Sequence, residues 1–229
     1  MTASACKSTE QESAKIGREA KQPASSPGAL KLGAVNHGVR VSDVTLLSSS
    51  GRTAVAVRLT GTSSRTQENV PVLVNVTGSG GKSLYSNETG GLEPSLQRMT
   101  VLPAHQSEWW VDDQVLTSQS ASGVRVRVGT GSQLRSVAAA ATVDTVGVHL
   151  GRQGGVSVLS GNIVNRTARA ATKVPVFAVA LRGGHVVAAG RAIVSALPGR
   201  SGSSEPFQIF LVGNPAGASI QLTAMPAAG

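Results

Sequence analysis

Aromatic and charged residues are both scarce in this chain of 229 residues. Aromatic residues make up 3% of it, and Asp, Glu, Lys and Arg together make up 14%. An average globular protein has about 25% charged residues, and the surfaces of long helices depend on charged side chains. Helical bundles and coiled coils are therefore poorly supported. The abundance of Val, Ala, Gly, Ser and Thr instead favours an all-β protein.

The chain has too few cysteine and histidine residues to form a disulfide or a zinc site. The chain has one cysteine, Cys6, so an internal disulfide is excluded. The four histidines are not at the spacing of zinc ligands, and we predict no metal site and no cofactor. No run of 18 apolar residues occurs, which excludes a transmembrane helix within this sequence. The histidines are His37, His105, His149 and His185.

The chain changes character near Gly38. Residues 7–37 are polar, contain Ser, Lys and Pro, and show no sustained hydrophobic period, so we expect residues 1–37 to form a flexible tether. From Val39 onward apolar residues alternate with polar or small ones, as they do in half-buried strands. Short strands separated by Gly-rich turns predict an antiparallel β-sandwich.

Five sequence landmarks recur in the same order in the second half of the chain. Val70-Pro71-Val72 is followed 104 residues later by Val174-Pro175-Val176, and Leu59-Thr60-Gly61 is followed 100 residues later by Leu159-Ser160-Gly161. Offsets that drift so little indicate an internal repeat. We predict two tandem copies of one β-sandwich, residues 38–136 and residues 137–229. Their central strands should superpose, with Val72, Val74 and Val76 matching Val176, Ala178 and Ala180.

Three segments of the second copy carry a family resemblance. They are residues 161–167 (GNIVNRT), residues 174–190 (VPVFAVALRGGHVVAAG), and Leu197-Pro198 followed by residues 205–210 (EPFQIF). Together they resemble the immunoglobulin-like FxLYD-type domain of bacterial secreted proteins and lipoproteins. The resemblance implies two tandem immunoglobulin-like domains, an extracellular place in the cell envelope and no active-site residues.

The first residues suggest a lipid anchor. Ala3-Ser4-Ala5-Cys6 is similar to a lipobox, in which small residues precede a cysteine that is lipidated. A charged segment and an apolar segment normally come before such a cysteine, and neither is found before Cys6. Two interpretations stay open: an upstream segment is missing from this sequence, or Cys6 is an unmodified residue of a polar tail. The first predicts a protein bound to the extracytoplasmic face of the membrane.

Two clusters of apolar side chains are candidates for a partner surface. Consecutive residues of a strand point to opposite faces, so Trp109 and Trp110 cannot both enter one core. One of them lies either against a neighbouring part of the chain or on a surface for a partner or a sugar. Phe177, Val179 and Leu181 raise the same question, because the residues between them are also apolar. Something should cover the outer face of that strand.

Basic residues exceed acidic ones by 21 to 12, and residues 137–229 hold seven bases and two acids. These bases stand singly and without aromatic neighbours, which argues against a nucleic-acid interface. We interpret them as solvated surface residues, with attraction to an anionic polymer or a membrane surface as the alternative. The seven bases are Arg152, Arg166, Arg169, Lys173, Arg182, Arg191 and Arg200.

Catalytic patterns are weak throughout the chain. Asp112-Asp113 is a candidate cation-binding pair in a polar break after the two tryptophans, but the further oxygen ligands that calcium needs are missing. No Gly-x-Ser-x-Gly elbow occurs. We therefore predict a non-catalytic cell-envelope module that binds or presents an unknown protein or cell-wall polymer. A basic adhesion module for anionic polymer or glycan is the alternative, and a hydrolase or metal-dependent enzyme is the less favoured one.

Overall fold

The computed structural model describes residues 29–88, 92–117, 119–133 and 142–226. Strands dominate these ranges, and the predicted all-β class is confirmed. In the described residues no helix is long and apolar enough to span a membrane. The strands are β1 (Val39–Ser49), β2 (Arg52–Gly61), β3 (Gln67–Thr77), β4 (Ser83–Ser86), β5 (Arg98–Leu102), β6 (Ser107–Val115), β7 (Gly123–Val128), β8 (Ser132–Gln133), β9 (Val143–Gln153), β10 (Val156–Asn165), β11 (Ala171–Arg182), β12 (His185–Leu197), β13 (Ser204–Phe210), β14 (Val212–Gly213) and β15 (Ser219–Ala224).

The strands form antiparallel sheets that separate into two halves, an N-terminal half (residues 29–133) and a C-terminal half (residues 142–226). In the N-terminal half, β2 pairs with β1 and β6, while β3 pairs with β4, β5, β7 and β8. In the C-terminal half, β10 lies between β9 and β13, and β11 lies between β12 and β15, with β14 added beside β12. The pairing of β1, β2 and β6 thus recurs as that of β9, β10 and β13.

The backbone irregularities recur as well, at a constant spacing of 104 residues. Left-handed φ angles occur at Asp43 and Gly147, at Ser50 and Gly154, and at Asn69 and Lys173. The β-bulge after Ser42↔Arg58 matches the one after Val146↔Asn162. This register aligns Leu59 with Ile163, so the match of Leu59 to Leu159 is wrong by four residues. The similarity of Leu-Thr-Gly to Leu-Ser-Gly indicated the wrong alignment, because the β-bulge fixes the register of these strands.

Each half has an apolar core between its sheets. Val72, Val74 and Val76 are buried in the N-terminal core, as the alternation predicted. In the C-terminal core their counterparts in β11 include two alanines, which pair with the larger Ile220 and Leu222 of β15. The neighbouring strand therefore supplies the volume that the alanines lack.

β12 is a single long strand of the C-terminal half, and it runs through Gly190 without interruption. A Cβ at Gly190 would lie 2.6 Å from the carbonyl oxygen of Phe210 and 2.7 Å from Ile209 Cγ2. Gly190 is thus required for the close approach of β13, and it does not mark a turn.

Part of the predicted tether packs on the N-terminal half. The backbone N–H of Asn36 donates to the carbonyl of Val128, and its Nδ2 donates to Gln67 Oε1 at 2.7 Å. Leu30 is almost completely buried. Residues 29–37 therefore lie against β3 and β7. Residues 1–28, with Cys6, lie outside the described residues.

Candidate functional site at the contact between the two halves

The two tryptophans of β6 lie where the halves meet, a contact we call the seam. β6, β2 and β1 on one side contact β11, β12 and β14 on the other. Trp110 is completely buried, and its ring centroid lies 6.4 Å from that of Phe177 in β11. Trp109 points the other way, and its Nε1 donates to Gln221 Oε1 in β15 at 2.8 Å. Both indoles are therefore enclosed by the chain itself.

The outer face of β11 is covered by the N-terminal half. Phe177 and Val179 are fully buried and belong to the same apolar cluster as Trp110, and half-buried Leu181 packs against that cluster. The structure thus gives the five candidate partner residues, Trp109, Trp110, Phe177, Val179 and Leu181, an intramolecular role. The prediction that something must cover this face agrees with the structure, and the cover is the other repeat.

A buried arginine crosses the seam from β12. Arg191 Nη2 donates to Asp112 Oδ1 at 2.8 Å, and its Nε donates to Asp113 Oδ1 at 3.2 Å. Arg191 Nη1 also donates to the carbonyl oxygens of Leu96 and Val111, at 2.9 and 3.1 Å. The guanidinium therefore reaches two carboxylates and two backbone carbonyl oxygens of the N-terminal half. A guanidinium presents several N–H donors in one plane, so it can bind these acceptors together. The ammonium group of a lysine would suit this position less well.

Two predictions are corrected by this cluster. Asp112 is completely buried within β6, so Asp112-Asp113 does not lie in a polar break. The cation that the two aspartates hold is a guanidinium of the same chain. Arg191 in turn is not a solvated surface residue, because its side chain is only 4% exposed.

Burial shapes the acid–base behaviour of the groups around Arg191. Burial raises the pKa of the Asp113 carboxyl, although the charge of Arg191 and its backbone N–H oppose this shift. Tyr85 Oη donates to Asp112 Oδ2 at 2.8 Å. Burial, followed by the negative charge of Asp112, raises the pKa of the Tyr85 phenol, so it stays a neutral donor. The cluster is thus a closed set of donors and acceptors.

Two further polar contacts flank the seam. Thr223 Oγ1 donates to Glu108 Oε2 at 3.0 Å, and burial raises the pKa of Glu108 more than this hydrogen bond lowers it. Lys173 Nζ lies 3.1 Å from Glu93 Oε2. Burial alone would raise the pKa of Glu93, but Lys173 and the Ser95 backbone lower it overall. The Lys173–Glu93 pair is largely exposed and therefore contributes little stability, unlike the buried Arg191 cluster.

A metal-binding cluster does not occur in the part of the chain that the structure describes. No group of three or more His, Cys, Asp or Glu side chains that could hold a metal is found there. His149 lies in β9 and His185 begins β12, while His37 and His105 lie outside the strands. The arrangement can fix two β-structures against each other, and it offers no open coordination position.

Comparison of the chain with protein-family models gives no match, and comparison with curated proteins gives no match either.

Proposed function

We propose that this chain is a non-catalytic cell-envelope module, built from two immunoglobulin-like β-sandwiches, that binds or presents a partner outside the cell. The two domains correspond to residues 38–136 and residues 137–229. A lipid on Cys6 holds the module at the extracytoplasmic face of the membrane. The resemblance of residues 161–210 to FxLYD-type domains supports the envelope location.

One observation carries the non-catalytic part of this proposal. The ionisable groups enclosed at the seam are Arg191, Asp112 and Asp113. They form hydrogen bonds to one another and to backbone carbonyl oxygens. Groups that are satisfied in this way serve to hold a rigid relationship between two domains. Two domains held in one fixed arrangement present a constant surface to a partner, which suits a presenting module.

The anchor is tested in cells that express the gene from its full upstream frame. Native protein and the Cys6→Ala variant are compared by fractionation and by mass spectrometry of the N-terminal peptide. We expect native protein in the membrane fraction with a lipid mass on Cys6, and release of the variant. Equal release of both proteins, with no lipid on Cys6, overturns the anchor. A broad hydrolase screen of the same protein tests the non-catalytic part.

A second candidate function, adhesion to an anionic polymer, is favoured by the outer face of the β3 sheet. Arg125 and Arg127 of β7 are exposed there beside an open groove of about 640 Å³. The net charge of +9 adds long-range attraction to such a polymer. Pull-down on purified cell-wall polymer over a salt series tests it. Adhesion predicts binding that weakens with salt and with Arg125→Gln/Arg127→Gln, whereas salt-independent binding excludes it.

A further inference from the structure

A second polar site lies at one end of the seam, apart from the Arg191 cluster. The turn between β1 and β2 meets the turn between β9 and β10 there, and the segment around β14 closes the third side. The cleft between them has a volume of about 260 Å³. This is slightly below the roughly 300–1,000 Å³ of pockets for small organic molecules, and it suits one small polar group.

Two arginines from different halves line this cleft. The guanidinium of Arg52 is half-buried and makes no hydrogen bond within the described residues. Arg152 lies near the end of β9, and its Nη2 donates to the carbonyl oxygen of Gly155 in the following turn at 2.7 Å. That bond fixes the arginine beside the cleft and leaves its other N–H groups available. No carboxylate is among the described residues that line the cleft.

Neutral donors complete the lining. The hydroxyl of Ser50 comes from the turn between β1 and β2, and that of Ser157 comes from the start of β10. Asn214 Oδ1 accepts a hydrogen bond from the backbone N–H of Ala216 at 3.1 Å, so Nδ2 is the amide atom left to donate. The nearby carboxylate of Asp113 feels the charge of Arg52 but bonds to Arg191, so it does not close the site. A cleft with two guanidinium groups and several neutral donors is complementary to an anion with several acceptor oxygens.

We propose that the cleft binds a tetrahedral oxyanion, a phosphate or sulfate group, between Arg52 and Arg152. This inference goes beyond the proposed module function, because it assigns a ligand class to named residues and does not depend on the lipid anchor. Because the two arginines belong to different halves, the bound group also bridges the seam. Occupancy therefore stabilises the folded chain, by an amount that grows with the logarithm of the ligand concentration once this exceeds Kd.

The test is titration calorimetry at constant ionic strength, with purified protein of the full sequence. Inorganic phosphate, inorganic sulfate and a glycerol phosphodiester are used as separate probes, since the last stands for a group within a polymer. The variants are Arg52→Gln and Arg152→Gln. Arg200→Gln is the matched control, because it removes the same charge in the turn before β13, and residue 204 pairs with the end of β10 that is remote from the cleft. Arg152 is exposed, so its variant tests the site even where Arg52→Gln unfolds.

We expect saturable binding of at least one probe and a loss of about tenfold or more in affinity for each cleft variant. Arg200→Gln should change the affinity less than twofold. Binding of the diester as well as of free phosphate assigns the site to a polymer group, and binding of the free ions alone assigns it to a small ligand. Equal losses in all three variants indicate unspecific attraction and overturn the site, as does the absence of saturable binding. Because no probe involves the membrane, failure here leaves the proposed anchor untouched.

Discussion

Arg191 in β12 and Asp112 in β6 are joined by a hydrogen bond of 2.8 Å, and their side chains are only 4% and 1% exposed. The two residues belong to different halves of the chain. A buried ion pair of this kind gains little over an apolar contact when it is complete, but it is costly to break on one side. Its effect is therefore to favour one arrangement of the two halves over others.

Replacing the arginine alone should be strongly destabilising. In Arg191→Met the carboxylates of Asp112 and Asp113 stay buried without a cation, so we expect the free energy of unfolding to fall by about 3–5 kcal/mol. Urea unfolding measures it. Arg200→Met, at an exposed position, should change the value by less than about 0.5 kcal/mol. Arg191→Met combined with Asp112→Asn should lose less than the sum of the single losses. A loss below about 1 kcal/mol for Arg191→Met contradicts the buried role.

The shared apolar cluster predicts that the two halves unfold together. Phe177→Ala removes a fully buried ring that packs against Trp110, so we expect a loss of about 3–5 kcal/mol. Tryptophan fluorescence reports the N-terminal half, because both indoles lie in β6, while circular dichroism reports all strands. The two transitions should shift together. Phe210→Ala, at a ring that is 38% exposed, is the control and should cost less. If the two signals instead show separate unfolding transitions, and Phe177→Ala shifts only one of them, the halves do not share a common core.

Tryptophan fluorescence also tests the enclosure of Trp109. Both indoles are buried, so we expect blue-shifted emission and weak quenching by acrylamide in the native protein. Trp110→Phe leaves Trp109 as the reporter, and Trp109→Phe leaves Trp110. Each should stay protected until unfolding. Strong quenching of Trp109 in the native state would restore the interpretation of this residue as a surface for an external partner.

Sequence alone predicted the strands well, because alternation in segments such as Val72, Val74 and Val76 reflects burial on one face of a sheet. It also predicted that an outer apolar face on β11 needs a cover. It failed at Arg191, which was counted with singly spaced surface bases. Arg191 is the one charged residue between His185 and Leu197 in an otherwise apolar strand, and Asp112-Asp113 directly follows another apolar strand segment. Opposite charges placed in or next to two apolar strand segments were the sequence signal for a buried ion pair.

The match of β2 to β10 and the seam cleft were beyond sequence reasoning for a different reason. Local sequence similarity aligned Leu59 with Leu159, whereas the β-bulges require Leu59 to match Ile163. A bulge depends on backbone conformation, and the non-glycine residue Asp43 occupies a position where the second repeat has Gly147. The cleft combines turns about 100 residues apart, and its formation depends on how the halves pack.

Half-buried Glu108 gives the seam a dependence on pH. Because burial raises the pKa of Glu108 in the folded chain, the folded state binds more protons than the unfolded state. The contribution of this group to stability is complete below the unfolded pKa and is lost as the pH rises through the folded pKa. Glu108→Gln keeps a hydrogen-bonding side chain beside Thr223 and does not titrate. Its stability relative to the native protein should therefore improve from pH 4 to pH 7.

Glu93 provides a control of opposite sign. Its pKa is lowered overall in the folded chain, so its contribution is present above the unfolded pKa and is lost as the pH falls through the folded pKa. Glu93→Gln should therefore become less stable relative to the native protein as the pH rises. Urea unfolding at several pH values measures both differences. The same trend for both variants contradicts the assignment of Glu108.

The equivalent hairpin turns of the two repeats predict a stabilising substitution. Ser50 has a φ of 51°, and the matching residue Gly154 has a φ of 56°. A serine in the left-handed region bears a cost of roughly 1–2 kcal/mol that a glycine avoids. We expect Ser50→Gly to raise the free energy of unfolding by up to about 1 kcal/mol. Gly154→Ser should lower it by a similar amount, because it imposes the same strain on the second hairpin.

Ser49→Gly is the control for this prediction. Ser49 is the last residue of β1, and it pairs with Arg52 at the start of β2. Glycine there gains no relief and adds flexibility to the unfolded chain, so the variant should be less stable by about 0.5–1 kcal/mol. Urea unfolding of the three variants beside the native protein gives the comparison. Ser50→Gly and Ser49→Gly must change stability in opposite directions if the left-handed conformation of Ser50 is the cause. A loss of stability in Ser50→Gly means that contacts of the Ser50 side chain outweigh its backbone strain, and then the two hairpins are not energetically equivalent.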